Sequence, residues 1–359
     1  MAHYDGPAGD DDVPQAIAVD AQGNVYVTGK SYNGKHITNP AETPSTESND
    51  YAYATVKYDL SGNQLWAARY DTLGHVDDIA RAIAIDGTGN VYVTGSSGGN
   101  YTTIMYDTDG GQLWLAHYGN STDSTDGAVA VAVDSSGHAY VTGSNEGNFA
   151  TVKYDSQGKQ LWAATCEGEA KAMALDNLGN AYVTGQSGHK FATIKYNALG
   201  KRLWVAQFSG PLRGDGEAVS IAVDGSGNVY VTGTAWSPRS YLDSYATIKY
   251  DSLGHQLWAA RYDYYPGQAV AIALGASGNA YVTGSMQGSN PWDYVTVGYD
   301  SNGKELWTDR YNGPGNGFDQ AAAIVVDKWG NVYVTGRSDG GASNTDYATI
   351  KYVPVNSAP

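Results

Sequence analysis

Residues 16–29 read AIAVDAQGNVYVTG, and residues 53–70 read YATVKYDLSGNQLWAARY. In Ala16-Ile17-Ala18-Val19 small side chains alternate with branched ones, and in Val25-Tyr26-Val27 branched ones flank an aromatic. That is the two-residue period of β-strands, not the 3.6-residue period of a helix. Between these strands, Asp20-Ala21-Gln22-Gly23-Asn24 is a tight turn with glycine where a positive φ is needed. Asp59-Leu60-Ser61-Gly62 repeats the device before the last strand. The two stretches predict a four-stranded antiparallel meander, its strands called a to d in chain order.

The frame then returns along the whole chain. YVTG occurs seven times, ending at Gly29, Gly95, Gly143, Gly185, Gly233, Gly284 and Gly336, at spacings of 66, 48, 42, 48, 51 and 52 residues. Four strands at such a period form a β-propeller blade. The frame makes the 359 residues one domain of seven blades: 15–71, 81–118, 129–166, 171–208, 219–263, 270–311, and 322–353 joined by 1–5. The seventh copy stops at Tyr352 without an LWAARY strand, while Ala2-His3-Tyr4-Asp5 aligns with Ala68-Arg69-Tyr70-Asp71. The expected fold is all-β, a seven-bladed β-propeller of four-stranded antiparallel blades. Its ring is closed by the N-terminal strand completing the last blade, which removes an open edge.

AIAVDAQGNVYVTG (16–29), YATVKYD (53–59) and GNQLWAARY (62–70) resemble the SBBP family of β-propeller repeats. The resemblance implies a scaffold of bacterial and archaeal surface and secreted proteins, so an extracellular or cell-surface location is expected. The Gly-x-x-Leu-Trp segment is also faintly similar to quinoprotein propellers. Those have eight blades and a vicinal cysteine pair, against seven blades and the single Cys166 here. Quinone binding is therefore set aside, and no organic cofactor is expected.

Composition narrows the partners. With 21 Lys plus Arg against 37 Asp plus Glu, the net charge is −16, which disfavours nucleic acid and anionic membrane surfaces. No apolar run approaches a membrane span, so no membrane insertion is expected. One cysteine cannot form an internal disulfide, and Cys166 takes a position held by Tyr70, Tyr118 and Tyr262, as a packing residue would. The chain is expected to be monomeric, and its tail, residues 353–359, reads as the start of a linker.

A repeat supplies its own control, because a residue recurring in most blades serves each blade. Trp66, Trp114, Trp162, Trp204, Trp258 and Trp307 recur, as do Lys57, Lys153, Lys195, Lys249 and Lys351. They are expected to pack and pair between blades. The turn aspartates, Asp20 and its equivalents, are expected to cap their turns rather than bind calcium, since each turn holds one acid.

Function is sought where the frame breaks, on the face bearing the b–c and d–a loops. The longest break is residues 30–52, expected to be a lid or a disordered loop. Trp236, Arg239 and Tyr241, then Tyr264 and Tyr265, then Trp292, offer aromatic and cationic side chains outside the frame. They suit stacking on sugar rings or a protein partner. At the start of strand a, Asp12, Asp78, Asp126 and Asp319 share one position. They are read either as local caps or as an acidic ring at the channel mouth for Ca2+ or a polyol. Arg81 and Lys171 share a neighbouring position and would neutralise those acids or join a ligand site.

Catalysis is signalled weakly. His36, His75 and His189 lie on the variable face and could serve as acid or base, but no nucleophile, zinc or phosphate-binding motif is present. The expected function is a non-catalytic binding or scaffold module for a glycan or protein. The alternatives are a polysaccharide lyase or hydrolase at the channel mouth, and a structural spacer in a larger surface protein.

Overall fold

The computed structural model describes residues 3–9, 11–37, 47–72, 77–119, 126–209, 215–236, 242–288, 292–341 and 345–353. Seven antiparallel sheets, six of four strands and the last of three, make a seven-bladed β-propeller. No helix occurs among the described residues. The chain divides into two compact units, Met1–Ala170 and Lys171–Pro359.

The first unit carries three blades. Blade 1 is β1 (Asp12–Val19), β2 (Val25–Ile37), β3 (Glu47–Tyr58) and β4 (Gln64–Tyr70). Blade 2 is β5 (Asp78–Ile85), β6 (Val91–Ser97), β7 (Asn100–Tyr106) and β8 (Gln112–Tyr118). Blade 3 is β9 (Gly127–Val133), β10 (Ala139–Asn145), β11 (Asn148–Tyr154) and β12 (Gln160–Glu167).

The second unit carries four. Blade 4 is β13 (Glu169–Leu175), β14 (Ala181–Ser187), β15 (Lys190–Tyr196) and β16 (Arg202–Phe208), and blade 5 is β17 (Gly216–Val223), β18 (Val229–Trp236), β19 (Asp243–Tyr250) and β20 (Gln256–Tyr262). Blade 6 is β21 (Gly267–Leu274), β22 (Ala280–Gln287), β23 (Trp292–Tyr299) and β24 (Glu305–Tyr311), and blade 7 is β25 (Gln320–Val326), β26 (Val332–Asp339) and β27 (Thr345–Tyr352).

The structure gives each letter of the motif a task. The YVTG threonine hydrogen-bonds the threonine facing it on strand c, as Thr28 does Thr55 at 2.9 Å and Thr94 does Thr103 at 2.9 Å. The YVTG glycine is needed because strand a bulges across it: a Cβ on Gly29 would collide with the Val13 carbonyl, and one on Gly95 with that of Ile79. In blade 1 the bulge lies between Pro14 and Ala16, in blade 2 between Ala80 and Ala82, in blade 5 between Ala218 and Ser220. The bulge breaks the alternation, so strand a starts two or three residues before the periodic pattern indicates.

Blade packing follows the repeat. The Trp66 and Lys57 side chains both donate to the Thr108 carbonyl of the next blade at 3.0 Å, and Lys57 also lies over the Tyr26 ring. Trp204 and Lys195 share the Ser252 carbonyl in the same way. The turn aspartates cap their turns as expected. Asp20 accepts from the Gln22 and Asn24 amides, the Asn24 side chain and the Tyr26 hydroxyl. Half-buried Cys166 pairs with Phe149 in the ladder.

Two expectations change. Residues 30–52 are largely strand, since β2 and β3 run on as a hairpin with Tyr32 opposite Tyr51 and their rings edge-on at 5.9 Å. Its tip, residues 38–46, lies outside the described residues. The last sheet has three strands, because residues 3–5 form none. Those residues instead lie against blade 1. The Gly6 amide donates to Asp12 at 2.7 Å, as the Thr72 amide does to Asp78 and the Gly313 amide to Asp319. The N-terminal segment therefore holds the corner that the end of strand d holds before other blades. Tyr347 on β27 is 85% exposed, whereas Tyr53, Tyr101, Tyr245 and Tyr294 at its frame position are buried.

Candidate functional site

A cavity of about 420 Å3 opens on the variable face of the second unit, lined by Gln186, Asp215, Glu217, Thr234, Asp243 and Gln268 over an apolar base that includes Val219 and Val270. Gln186 and Thr234 each follow a YVTG glycine, so the end of strand b delivers them. Glu217 and Gln268 stand at one position of strand a, just before the bulge. That position holds Val13, Ile79 and Gly127 in blades 1 to 3, but Glu169, Glu217, Gln268 and Gln320 in blades 4 to 7. The scaffold accepts apolar residues there, so the polar set is not a packing requirement. Val219 and Val270 are the bulged residues themselves, re-aimed by the extra residue.

The charges are arranged around this cavity. Lys171 pairs with Glu217 at 2.8 Å. His189 lies 3.3 Å from Asp215, both side chains largely exposed, and its carbonyl accepts from the Gly216 amide at 2.9 Å. His189 has φ +62°, in a two-residue turn whose second position is Gly99 in blade 2 and Gly147 in blade 3. A side chain there costs about 1 kcal/mol relative to glycine. His189 is thus held in a strained position beside the cavity.

The aromatic candidates meet the cavity unevenly. Trp236 ends β18 half-buried; its amide donates to the Asp215 carbonyl at 2.9 Å, and its ladder partner is Asp243. It is therefore tied by its backbone to two cavity residues. Tyr264 and Tyr265 are 63% and 51% exposed, and Tyr264 leans on Tyr262 with ring centroids 5.1 Å apart. They precede Gln268 on the loop entering β21. Trp292 opens β23 half-buried, its carbonyl taken by the Asp319 amide. Arg239 and Tyr241 lie outside the described residues, as does His75. His36 is in β2, its side chain outside the described residues, and Arg81 is exposed on blade 2 in the first unit.

The aspartates considered for calcium behave as caps. Besides the Asp12, Asp78 and Asp319 corners, Asp126 accepts from the Glu146 amide at 2.7 Å. Burial pushes the Asp78 carboxyl up, against hydrogen bonds from Ser97 and Thr72. Among the described residues no group of three or more His, Cys, Asp or Glu side chains could hold a metal ion.

Other residues on this face were not singled out by sequence. Gln186 follows the YVTG glycine at a position whose residue varies from blade to blade, and Asp243, the first residue of β19, follows no motif. Arg261 donates to the Ala235 and Trp236 carbonyls, and Arg310 pairs with Asp293. Both use the strand-d position of Arg69, which bonds Ser31 and Tyr4. The blade-to-blade change at that position, from Arg to His117, Thr165 and Gln207, was the available signal.

Residues 6–34, 73–102 and 203–238 each match the SBBP beta-propeller repeat, spanning the corner, strand a and strand b of blades 1, 2 and 5. Three segments of the chain are thus SBBP-type propeller repeats. No curated protein matches it. Among solved structures, virginiamycin B lyase from Staphylococcus aureus is similar at 12% identity and TM-score 0.54, over 89% of this chain and 90% of that one. A streptogramin B lyase gives 12%, 0.53, and 89% of each chain. A protein from Lactobacillus plantarum gives 14% and 0.52, over 91% of this chain and 96% of that one. At these identities the likeness of the chain to these structures is one of fold.

Proposed function

We propose that this SBBP-repeat propeller is a non-catalytic binding module at the cell surface or outside the cell. Its ligand surface is the variable face of blades 4 to 6, and its ligand is a glycan rich in hydroxyl or amino groups. The observation that supports this is the set of side chains lining the 420 Å3 cavity. Asp215, Glu217 and Asp243 can accept hydrogen bonds, Gln186, Gln268 and Thr234 can accept and donate, and Trp236 is tied by its backbone to Asp215 and Asp243. Carboxylates and amides over an apolar base suit sugar hydroxyls. The acidic balance favours neutral or amino sugars over uronates.

The lyase reading draws no support from this lining. No histidine or tyrosine is among its described residues, and the nearby cation, Lys171, is engaged with Glu217. The names of the lyase neighbours speak to fold alone.

A glycan array probed with the full chain and with Trp236→Ala and Asp243→Asn tests the reading. The expected result is binding of neutral or amino glycans that both substitutions weaken. Binding unchanged in both variants, or confined to uronates, removes this surface from the function.

A further inference from the structure

We propose that the cavity between the a–b turns of blades 4 and 5 and the c–d turn of blade 5 is a second ligand site, for a small molecule with an apolar body and a neutral carbonyl that meets the Lys195 ammonium. The cavity, of about 710 Å3, lies wholly in the second unit, at the end of the strands away from the variable loops. Leu178 and Leu253 line it and are 80% and 68% exposed. Leu178 is the third residue of its a–b turn, and Leu253 the third of the c–d turn in the next blade. At the junctions of blades 1 and 2, 2 and 3, and 5 and 6, these two positions hold Gln22 and Asp109, Thr88 and Gln157, and Ser226 and Asn302. The turns therefore accept polar side chains at both positions, and neither leucine is a packing requirement. Paired apolar side chains left in water beside a cavity mark a binding surface.

Lys195 recurs through the blades, and its position over the Tyr182 ring belongs to the repeat. Its ammonium also lines this cavity, and it is only 7% exposed. Among the described residues its hydrogen-bond acceptor is the Ser252 carbonyl at 3.2 Å, an oxygen that the Trp204 indole shares at 3.1 Å. An ammonium carries three N–H donors, so donors remain for an oxygen in the cavity. Burial pushes the amine below its ordinary value, against the charge of Asp176, and an added acceptor offsets that desolvation.

The acids of the cavity decide which acceptor suits it. Asp176 accepts from the Leu178 and Asn180 amides, the Asn180 side chain and the Tyr182 hydroxyl. Asp224 is filled in the same way by Ser226, Asn228 and Tyr230. Both carboxylates are fixed in their turns and repel a ligand carboxylate, which leaves a neutral carbonyl as the fitting partner of Lys195. Leu175, Leu203, Trp204 and Val223 supply the apolar wall for the rest of the molecule. The volume and the mixture of apolar wall with few polar groups are those of a small-molecule pocket.

The test treats the full chain with phenylacetaldehyde and sodium cyanoborohydride. The neutral Lys195 amine attacks the carbonyl carbon, the oxygen leaves as water, and hydride from the borohydride reduces the C=N bond to a secondary amine. Peptide mass spectrometry is expected to find Lys195 modified at least tenfold faster than Lys249, at a rate that saturates with aldehyde. Lys249 is the fitting control, because it is equally buried and bonds the Ser301 carbonyl in the same way. Leu178→Ser with Leu253→Asn gives this junction the residues of the next one. It is expected to lower Lys195 modification at least fivefold at an unchanged melting temperature. Equal modification of the two lysines, including none of either, overturns the proposal. So do a rate linear in aldehyde and protection of Lys195 that grows with protein concentration, which would seat a second copy in the cavity. Where the double variant folds poorly, the two lysines of the unaltered chain still decide.

Discussion

The Trp66 indole donates to the Thr108 carbonyl at 3.0 Å, so blade 1 is fastened to blade 2 by a bond from the outermost strand of one to a turn of the next. The Lys57 ammonium shares the oxygen. One carbonyl therefore takes a neutral and a charged donor, and the ring adds contact with Tyr26 and Tyr106. Trp66→Phe keeps most of the contact and loses the N–H, and is expected to cost about 1 kcal/mol. Trp66→Ala loses both and should cost about 2–3 kcal/mol, the indole being half-buried. Chemical denaturation of the two variants checks the order and the gap.

The bulge of strand a over the YVTG glycine predicts a sharp contrast between two glycines. Gly95→Ala places a methyl against the Ile79 carbonyl and is expected to destabilise by roughly 2–3 kcal/mol. Gly225→Ala meets nothing within 4 Å and has no positive φ, so its effect should lie within about 0.5 kcal/mol. Thermal unfolding of both proteins distinguishes a steric requirement from a mere turn preference.

His189 yields a prediction of opposite sign. Replacing it with glycine, as Gly99 and Gly147 already stand at its turn position, should stabilise the chain by about 0.5–1 kcal/mol. The same change removes the partner of Asp215 beside the cavity. Unfolding and glycan binding measured together should therefore move in opposite directions.

Acid sensitivity follows from the turn caps. In Asp86 and Asp176 burial pushes the carboxyl up, but hydrogen bonds from Thr88 and Asn90, and from Asn180 and Tyr182, outweigh it and leave each below the ordinary 3.8. Asp134 behaves likewise through His138 and Ser136. A carboxyl lowered in the fold contributes stability that is complete above its unfolded value. That contribution is lost as pH falls through the folded one. Melting temperature should accordingly hold steady from neutral pH to about pH 4 and fall below it. Asp78, raised by burial, works in the other direction: it adds stability as pH falls toward the unfolded value and contributes no further change below it.

Much of this architecture is legible in the letters, and the reason is physical. Each blade solves the same packing problem, so Thr28, Gly29, Lys57 and Trp66 recur with the geometry that demands them. The start of strand a is hidden because the bulge beside Gly29 interrupts the alternation that marks a strand. The β2–β3 hairpin is hidden because Tyr32 and Tyr51 pair within a stretch otherwise read as loop. The three-stranded last sheet could not be foreseen, since His3 and Tyr4 fit strand d equally well whether they pair with β27 or rest on blade 1. At the cavity, Glu217 stands out by breaking its frame position, as Lys171 beside it does, whereas Asp243 carries no local mark. Aromatic residues drew attention to Trp236, but the hydrogen-bonding groups around it come from five separate loops and strand ends.

The most direct test is a calorimetric titration of an array-identified neutral or amino glycan into the full chain and into the double variant Glu217→Gln, Asp243→Asn. Both substitutions are exposed or half-buried, so unfolding should be nearly unchanged. The expected result is a loss of at least tenfold in affinity, about 1.4 kcal/mol. Full affinity in the double variant, with stability intact, would contradict the assignment of this face as the ligand surface.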